Sequence, residues 1–203
     1  EGEGGHFCAG GDISEYPDFR FDQAQLRSFH EDEVWGGLQA VLDCDIPVIA
    51  AIRGNCMGAG VEIASACDMR LATEDARFGA PIARLGFPMA PREAQLVARA
   101  VGDLTAREML LCAALLTASE MKDRGFLNRV VPEDELGHDT ERLLKGMSQL
   151  SPLAARRNKQ TLRALAAGAP MEALLARAYD YAAHSEHREG VTAFMEKRSP
   201  LFR

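Results

Sequence analysis

Apolar positions in the first two-thirds of the chain alternate between helical spacing and short unbroken runs. Helical spacing recurs from Leu26 to Leu42, and Pro47 then opens an apolar run that ends at Ile52 and is rich in β-branched residues. A short run of this kind after a proline is typical of a buried strand. The pattern therefore predicts a helix followed by a strand, which is the alternation of an α/β fold.

The same alternation continues downstream. Helical character over residues 61–67 is followed by predicted strands over residues 69–72 and 127–131. Between these strands, a proline at the first helical position predicts a helix over residues 91–100. Thr105 is placed to cap a further helix that reaches about Leu116.

The last third of the chain reads almost entirely as helix, so we expect an α/β core over residues 1–134 and a helical region over residues 135–203. Two apolar stripes mark this region, the first formed by Met171, Leu174, Leu175, Ala178 and Ala182, the second beginning with Val191, Phe194 and Met195. They offer more apolar surface than a terminal region of this length can cover by itself. We expect them to contact other copies of the chain; packing onto the chain's own core is the alternative.

Composition narrows the range of partners. The 203 residues carry a formal net charge of −7, which disfavours binding along a nucleic-acid backbone or an anionic membrane. No stretch approaches the roughly 18 apolar residues of a membrane-spanning helix. Five cysteines without a Cys-x-x-Cys pair indicate neither a disulfide framework nor a metal site, so we expect a reducing, cytoplasmic location. An opening at Glu1 without methionine suggests a piece of a longer chain.

Two glycine-rich loops carry the candidate chemistry. The first follows an apolar segment that we predict as a strand, and it consists of Phe7, Cys8, Ala9, Gly10, Gly11 and Asp12. Paired glycines allow the backbone to approach a ligand closely and leave peptide N–H groups free to donate. A tight turn that merely ends a strand would explain the same residues, with Asp12 as its cap.

The second loop lies between a predicted buried strand and a predicted helix. It runs from Gly58 through Ala59 and Gly60 to Glu62. N–H groups at a helix start point at whatever lies in front of them, and the helix dipole favours a carboxylate in the first turn. Glu62 is therefore a candidate proton-transfer group beside an anion site, although capping and close packing alone would account for the same pattern.

The two loops belong to a longer series of segments, at residues 7–12, 47–54, 58–62, 66–72, 77–81, 118–131 and 188–198. This series resembles the enoyl-CoA hydratase/isomerase (crotonase) superfamily and covers essentially the whole chain. The resemblance implies a spiral of β-β-α turns that binds acyl-CoA, followed by a helical region that forms trimers, often stacked into hexamers. It also implies that roughly the first fifty residues of such proteins, with their first strands, are missing here.

The resemblance assigns roles to individual residues. It implies that the backbone N–H groups of Gly11 and Ala59 stabilise a thioester enolate and that Glu62 transfers the proton. The implied substrate-binding residues are Cys8, Ala9, Gly10, Asp12, Ile13, Gly58, Pro81, Ile82 and Phe87. Coenzyme A would enter only as part of the substrate, with no resident cofactor or metal.

The sequence departs from the resembled family at Ile82, where hydratases carry a second glutamate. A missing carboxylate predicts weak hydration, since each general acid or base contributes typically about 10²- to 10⁴-fold. Isomerase-like, decarboxylase-like and non-catalytic acyl-CoA-binding alternatives therefore remain open. Glu93 could substitute for the missing acid, although an acid in the first turn of a helix favours a stabilising role.

Overall fold

Residues 1–202 are described in a computed structural model, and they fall into two compact units. The first unit contains Glu1–Cys44 and Val48–Thr140. The second contains Asp45–Pro47 and residues 141–202. The predicted boundary after residue 134 lies six residues before this division, and the short segment around Ile46 joins the second unit.

The strands of the first unit form two small sheets. In the first sheet, β1 (Ile49–Ile52), β3 (Met69–Thr73) and β6 (Arg129–Val131) are all parallel. In the second, β2 (Asn55–Met57) pairs in parallel with β4 (Arg77–Gly79), which pairs in antiparallel with β5 (Leu116–Thr117). Parallel neighbours need crossover connections, and helices supply them, as the α/β pattern predicts.

In the described chain two helices precede β1, four lie between β2 and β6, and four follow β6. They are α1 (Gln23–Ser28), α2 (Trp35–Asp43), α3 (Ala59–Ala66), α4 (Pro91–Val101), α5 (Asp103–Leu111), α6 (Ala118–Asp123), α7 (Leu136–Ser148), α8 (Pro152–Ala166), α9 (Met171–Leu175) and α10 (Ser185–Met195). A π-helical turn at Phe29–Val34 joins α1 to α2, so the predicted helix over residues 26–42 is continuous but not regular. Short 3₁₀ segments occupy Ile13–Asp18, Pro81–Leu85 and Glu133–Glu135.

Apolar residues from both sheets form the core of the first unit. Ile52, Leu71 and Phe78 are completely buried, and the ring of Phe78 meets that of Phe126 edge to face at 5.9 Å. Arg70 on β3 donates hydrogen bonds to the carbonyl oxygens of Ala64, at 3.0 Å, and of Cys67 and Phe126. The bonds to Ala64 and Cys67 satisfy carbonyl groups at the end of α3, which have no acceptor role within the helix. They attach the end of α3 to β3.

Two local predictions were wrong. Only a one-residue bridge between Cys8 and Cys56 replaces the strand predicted before the first glycine loop. Thr105 does not cap a helix, because α5 already starts at Asp103 after Gly102 and Thr105 is buried inside it. The glycine at position 102, with a φ of 86°, ends α4 and starts α5 without a side-chain cap.

The first of the two C-terminal stripes also differs from its predicted arrangement. The first stripe is helical only over α9, and Ala178 and Ala182 lie in turns that follow it. Val191, Phe194 and Met195 of the second stripe all lie on α10, as predicted. Within the second unit, Glu186 of α10 accepts hydrogen bonds from the Ser151 hydroxyl group, at 2.5 Å, and from the Leu153 amide, at 3.0 Å. These bonds anchor α10 to the start of α8.

Candidate active site

The second glycine loop turns β2 sharply into α3. Gly58 precedes the helix with φ 51° and ψ −114°, a conformation that a residue with a side chain rarely adopts. Its amide donates to the Gly79 carbonyl at 2.9 Å, and its own carbonyl accepts from Glu62 at 3.3 Å. The turn thereby places Glu62 in the first turn of α3, as predicted.

The two glycine loops lie against each other. The amide of Met57 donates to the carbonyl of Cys8 at 2.9 Å. A Cβ atom built on Gly60 would lie 2.9 Å from Cys8 Cβ and 3.1 Å from Cys8 O, closer than side chains pack. Gly60 is therefore required for the close approach of the loops.

Backbone N–H groups of both loops are free at this junction. Within residues 1–202, the amides of Gly11 and Ala59 donate to no protein acceptor. Ala59 is the first residue of α3, where helical partners are absent by geometry. Two amides from two neighbouring loops are therefore available to donate to an anionic ligand.

A cavity of about 170 Å³ opens beside these loops. Ten of the residues proposed from the sequence line its wall, namely Ala9, Gly10, Gly11, Ile13, Gly58, Ala59, Glu62, Pro81, Ile82 and Phe87. Cys8 and Asp12 do not line it. Cys8 instead pairs with Cys56 through the backbone, in an isolated parallel β-bridge. Asp12 caps the 3₁₀ segment, because its carboxylate accepts hydrogen bonds from the Ser14 amide (2.9 Å) and hydroxyl group (2.6 Å).

Glu62 occupies an unusual electrostatic environment on the cavity wall. Burial raises the pKa of its carboxyl group from the ordinary value of 4.5 to about 7. The negative charge of Glu93 adds to this rise in pKa, whereas His30 opposes it. A carboxyl group with a pKa near neutrality can both accept and return a proton at physiological pH.

A buried histidine–glutamate pair lies beside Glu62. Glu93, in the first turn of α4, is only 2% exposed, and its Oε1 lies 3.1 Å from Nδ1 of His30. The His30 ring, from the π-helical turn, lines the cavity. From sequence, His30 is only one position within the helical spacing between Leu26 and Leu42. A buried carboxylate needs a hydrogen-bonding or cationic partner. The acid in the first turn of α4 was therefore the sequence signal that could have pointed to a cationic side chain beside Glu93.

An arginine and two aromatic rings complete one end of the wall. The guanidinium carbon of Arg20 lies 4.1 Å from the Tyr16 ring centroid and 3.8 Å from that of Phe87. The two rings meet edge to face at 5.9 Å. Sequence reasoning missed Tyr16 and Arg20, because they follow the first loop in a segment without strand or helix periodicity.

The remaining wall is apolar. Ile82 lies on it where the resembled family carries a glutamate, with Phe87, Pro88 and Met89 nearby in sequence.

Among the described residues, no three His, Cys, Asp or Glu side chains converge closely enough to hold a metal ion. No helix of residues 1–202 is both long and apolar enough to cross a membrane.

Comparison with known proteins is consistent with this geometry. A family model described as enoyl-CoA hydratase/isomerase matches residues 1–203. A protein of Mycobacterium bovis named a probable enoyl-CoA hydratase is 35% identical over 199 residues, covering 97% of this chain and 76% of its own length. The 2,3-dehydroadipyl-CoA hydratase of Escherichia coli is 35% identical over 202 residues, with the same two coverages.

A solved structure is also similar over the full chain. The crystal structure of an enoyl-CoA hydratase/carnithine racemase from Magnetospirillum magneticum superposes with a TM-score of 0.95 at 33% identity, covering 100% of this chain and 76% of that one. The α/β fold is therefore that of the crotonase structures. From the family match and these likenesses together, the chain belongs to the enoyl-CoA hydratase/isomerase family and is an enzyme of this type.

Proposed function

We propose that this enzyme forms and reprotonates the enolate of an acyl-CoA thioester, with Glu62 as the proton-transfer residue. The observation that carries the proposal is the meeting of three groups on one cavity wall. Glu62, with its raised pKa, lines the same cavity as Gly11 and Ala59, whose amides have no acceptor among residues 1–202. Proton transfer at a carbon atom beside a thioester needs this combination of base and oxyanion donors.

The two amides would act on the thioester oxygen. When Glu62 removes a proton from the α-carbon, the electron pair of the C–H bond moves towards this oxygen, which becomes negatively charged. Donors already fixed by the backbone need no reorganisation, and losing one such donor typically costs about 3 to 4 kcal/mol of transition-state stabilisation. Return of a proton from Glu62 to carbon completes the cycle.

Hydration is the second candidate reaction, and one observation favours it. Addition of water across a 2-enoyl double bond needs a base for the water as well as a proton for the α-carbon. Ile82 cannot serve, but the Nδ1–H of His30 can donate to Glu93 at 3.1 Å, which leaves Nε2, 3.5 Å from Nη2 of Arg20, as the acceptor nitrogen of the ring. In this reaction His30 would deprotonate water, and Glu62 would protonate the α-carbon.

The cavity limits the acyl group that it can accept. Its volume is about 170 Å³. A short acyl chain fits this volume. Coenzyme A would be part of the substrate, and the mechanism uses no resident cofactor or metal.

The proposal includes assembly into a homotrimer or a hexamer through the C-terminal helices. Exposed apolar side chains in the second unit support it, since Phe194 is 83% exposed, Met195 is 75% exposed and Val191 is 54% exposed. Single exposed apolar residues are normal, but several on consecutive turns of one helix favour a protein contact. With its reduced cysteines, the assembly would work in the cytoplasm.

The test replaces Glu62 by Gln and measures both turnover and binding of crotonyl-CoA. We expect turnover to fall by at least about 10²-fold while the affinity for acyl-CoA changes little, because the amide keeps the shape but cannot transfer a proton. Glu74→Gln, on an exposed residue outside the cavity, is the matched control. Turnover by Glu62→Gln at the wild-type rate would overturn the proposal.

Two substrates separate the two candidate reactions. If His30 activates water, His30→Gln should abolish formation of the 3-hydroxyacyl product from crotonyl-CoA but retain Glu62-dependent exchange of the α-proton of butyryl-CoA. Equal loss of both activities would assign His30 to the support of Glu62 alone. A wild-type protein that binds acyl-CoA but neither hydrates it nor exchanges its α-proton would be a non-catalytic binder.

A further inference from the structure

The cavity wall holds a cation without a counter-ion. Arg20 lines the cavity, and within residues 1–202 no carboxylate oxygen lies within 4.0 Å of its guanidinium group. Its Nε is shielded from solvent and has no hydrogen-bond partner. A buried donor of this kind carries a desolvation cost that a bound acceptor would remove.

The environment of Arg20 holds its guanidinium plane in one place. The rings of Tyr16 and Phe87 lie against it, at 4.1 Å and 3.8 Å from the guanidinium carbon. The Arg20 amide donates to the Tyr16 carbonyl at 2.9 Å, which ties the arginine backbone to the same segment. The two rings hold the guanidinium group by its apolar contacts, and its planar N–H donors suit bidentate binding of a carboxylate.

Few of the N–H donors of the Arg20 guanidinium group have a hydrogen-bond acceptor within the described chain. Within the described chain, the side-chain contact of Arg20 to a polar atom is a long one, 3.5 Å from Nη2 to Nε2 of His30. Contacts of this length are weak. A guanidinium group has five N–H donors, so several remain for a ligand.

We infer that the acyl group of the natural substrate ends in a carboxylate and that Arg20 binds it. This inference rests on the proposed function, because it takes the cavity as the acyl site. It goes further by naming the substrate class, which is the CoA thioesters of short dicarboxylic acids. The chain carries a net charge of −7, so an additional negative charge on a ligand gains nothing from the protein as a whole and requires a local cation.

The alternative ligand for Arg20 is a phosphate group of coenzyme A, and the experiment distinguishes the two. Glutaryl-CoA and adipoyl-CoA are compared with pentanoyl-CoA and hexanoyl-CoA, which have the same chain lengths and the same coenzyme but end in methyl groups. Dissociation constants are measured by calorimetry. This measurement is independent of turnover, so a failure of the proposed chemistry would leave the binding result interpretable.

We expect wild-type protein to bind at least one dicarboxylic thioester about 10- to 100-fold more tightly than its methyl-terminated partner, the range of a charged hydrogen bond. Arg20→Gln should remove this preference. Arg20→Lys should restore only part of it, because a lysine lacks the planar pair of donors. Arg27→Gln makes the same charge change on an exposed residue of α1 and should retain the preference.

Two results would overturn the inference. One is wild-type protein that binds the methyl-terminated thioesters as tightly as the dicarboxylic ones. The other is an Arg20→Gln variant that binds both members of each pair equally more weakly, which would assign Arg20 to the coenzyme phosphates or to the integrity of the cavity.

Discussion

Replacing Glu62 by Gln should stabilise the protein at alkaline pH, because the wild-type fold has to hold an ionised carboxylate in a buried position. Burial, followed by the charge of Glu93, raises the pKa of Glu62 from 4.5 to about 7. Between these two pH values the unfolded chain has lost the proton and the folded chain still holds it. Wild-type stability therefore falls as pH rises through this window, and it falls no further above pH 7.

The size of the effect follows from the pKa values. Each pH unit of difference between the folded and unfolded pKa corresponds to about 1.4 kcal/mol, which gives about 3 kcal/mol for Glu62. Glutamine resembles the protonated carboxyl group and does not titrate. The variant should therefore match the wild type near pH 4 and exceed its unfolding free energy by about 3 kcal/mol at pH 8.5.

Urea denaturation at a series of pH values is the assay. Trp35, the single tryptophan, lies on α2 in the same unit as Glu62 and reports unfolding by its fluorescence. Glu74→Gln, the same substitution on an exposed residue, is the matched control. A Glu62→Gln variant whose stability difference is constant from pH 4 to 8.5, or has the opposite sign, would refute the reasoning.

Three other changes test separate parts of the account. Gly60→Ala should destabilise the first unit by about 1 to 3 kcal/mol in the same denaturation assay, since the new Cβ would lie 2.9 Å from Cys8 Cβ; an unchanged or raised urea midpoint would contradict the close approach of the loops. Ile82→Glu should raise crotonyl-CoA hydration by about tenfold or more, with Ile82→Gln as the control; no gain would indicate that another group, such as His30, already activates the water. Light scattering on the purified chain should give the mass of a trimer or hexamer, and Phe194→Glu should shift it towards that of a monomer; a monomeric wild-type mass at micromolar concentration would remove the assembly proposal.

Segments with strong local signals were predictable from sequence. The run from Pro47 to Ile52 contains β1, the proline at position 91 starts α4, and the glycine loop around Gly58 leads into α3. Each of these depends on residues close together in the chain, namely a proline, a β-branched run or a glycine. The long helical pattern before Pro47 was also correct in extent, although its π-helical turn has no distinct sequence signal.

Features that depend on distant residues could not be predicted. His30 and Glu93 are separated by 63 positions, and only the packing of the π-helical turn near α4 brings them together. Arg20 meets Phe87 for the same kind of reason. The predicted extent of the first C-terminal stripe was wrong for a different reason. Its helical spacing continues to Ala182, but the helix ends at Leu175. Apolar periodicity there does not distinguish a helix from successive turns.

Exchange of the α-proton of butyryl-CoA for deuterium, measured against pH by mass spectrometry, tests most directly whether Glu62 is the proton-transfer residue. Because exchange needs the ionised carboxylate, kcat/KM should rise about tenfold per pH unit below pH 7 and level off above it, in line with the pKa of about 7 for Glu62. Glu62→Gln should show no exchange above the uncatalysed rate at any pH. Exchange that is independent of pH between 5 and 9, or that persists in Glu62→Gln, would contradict the account.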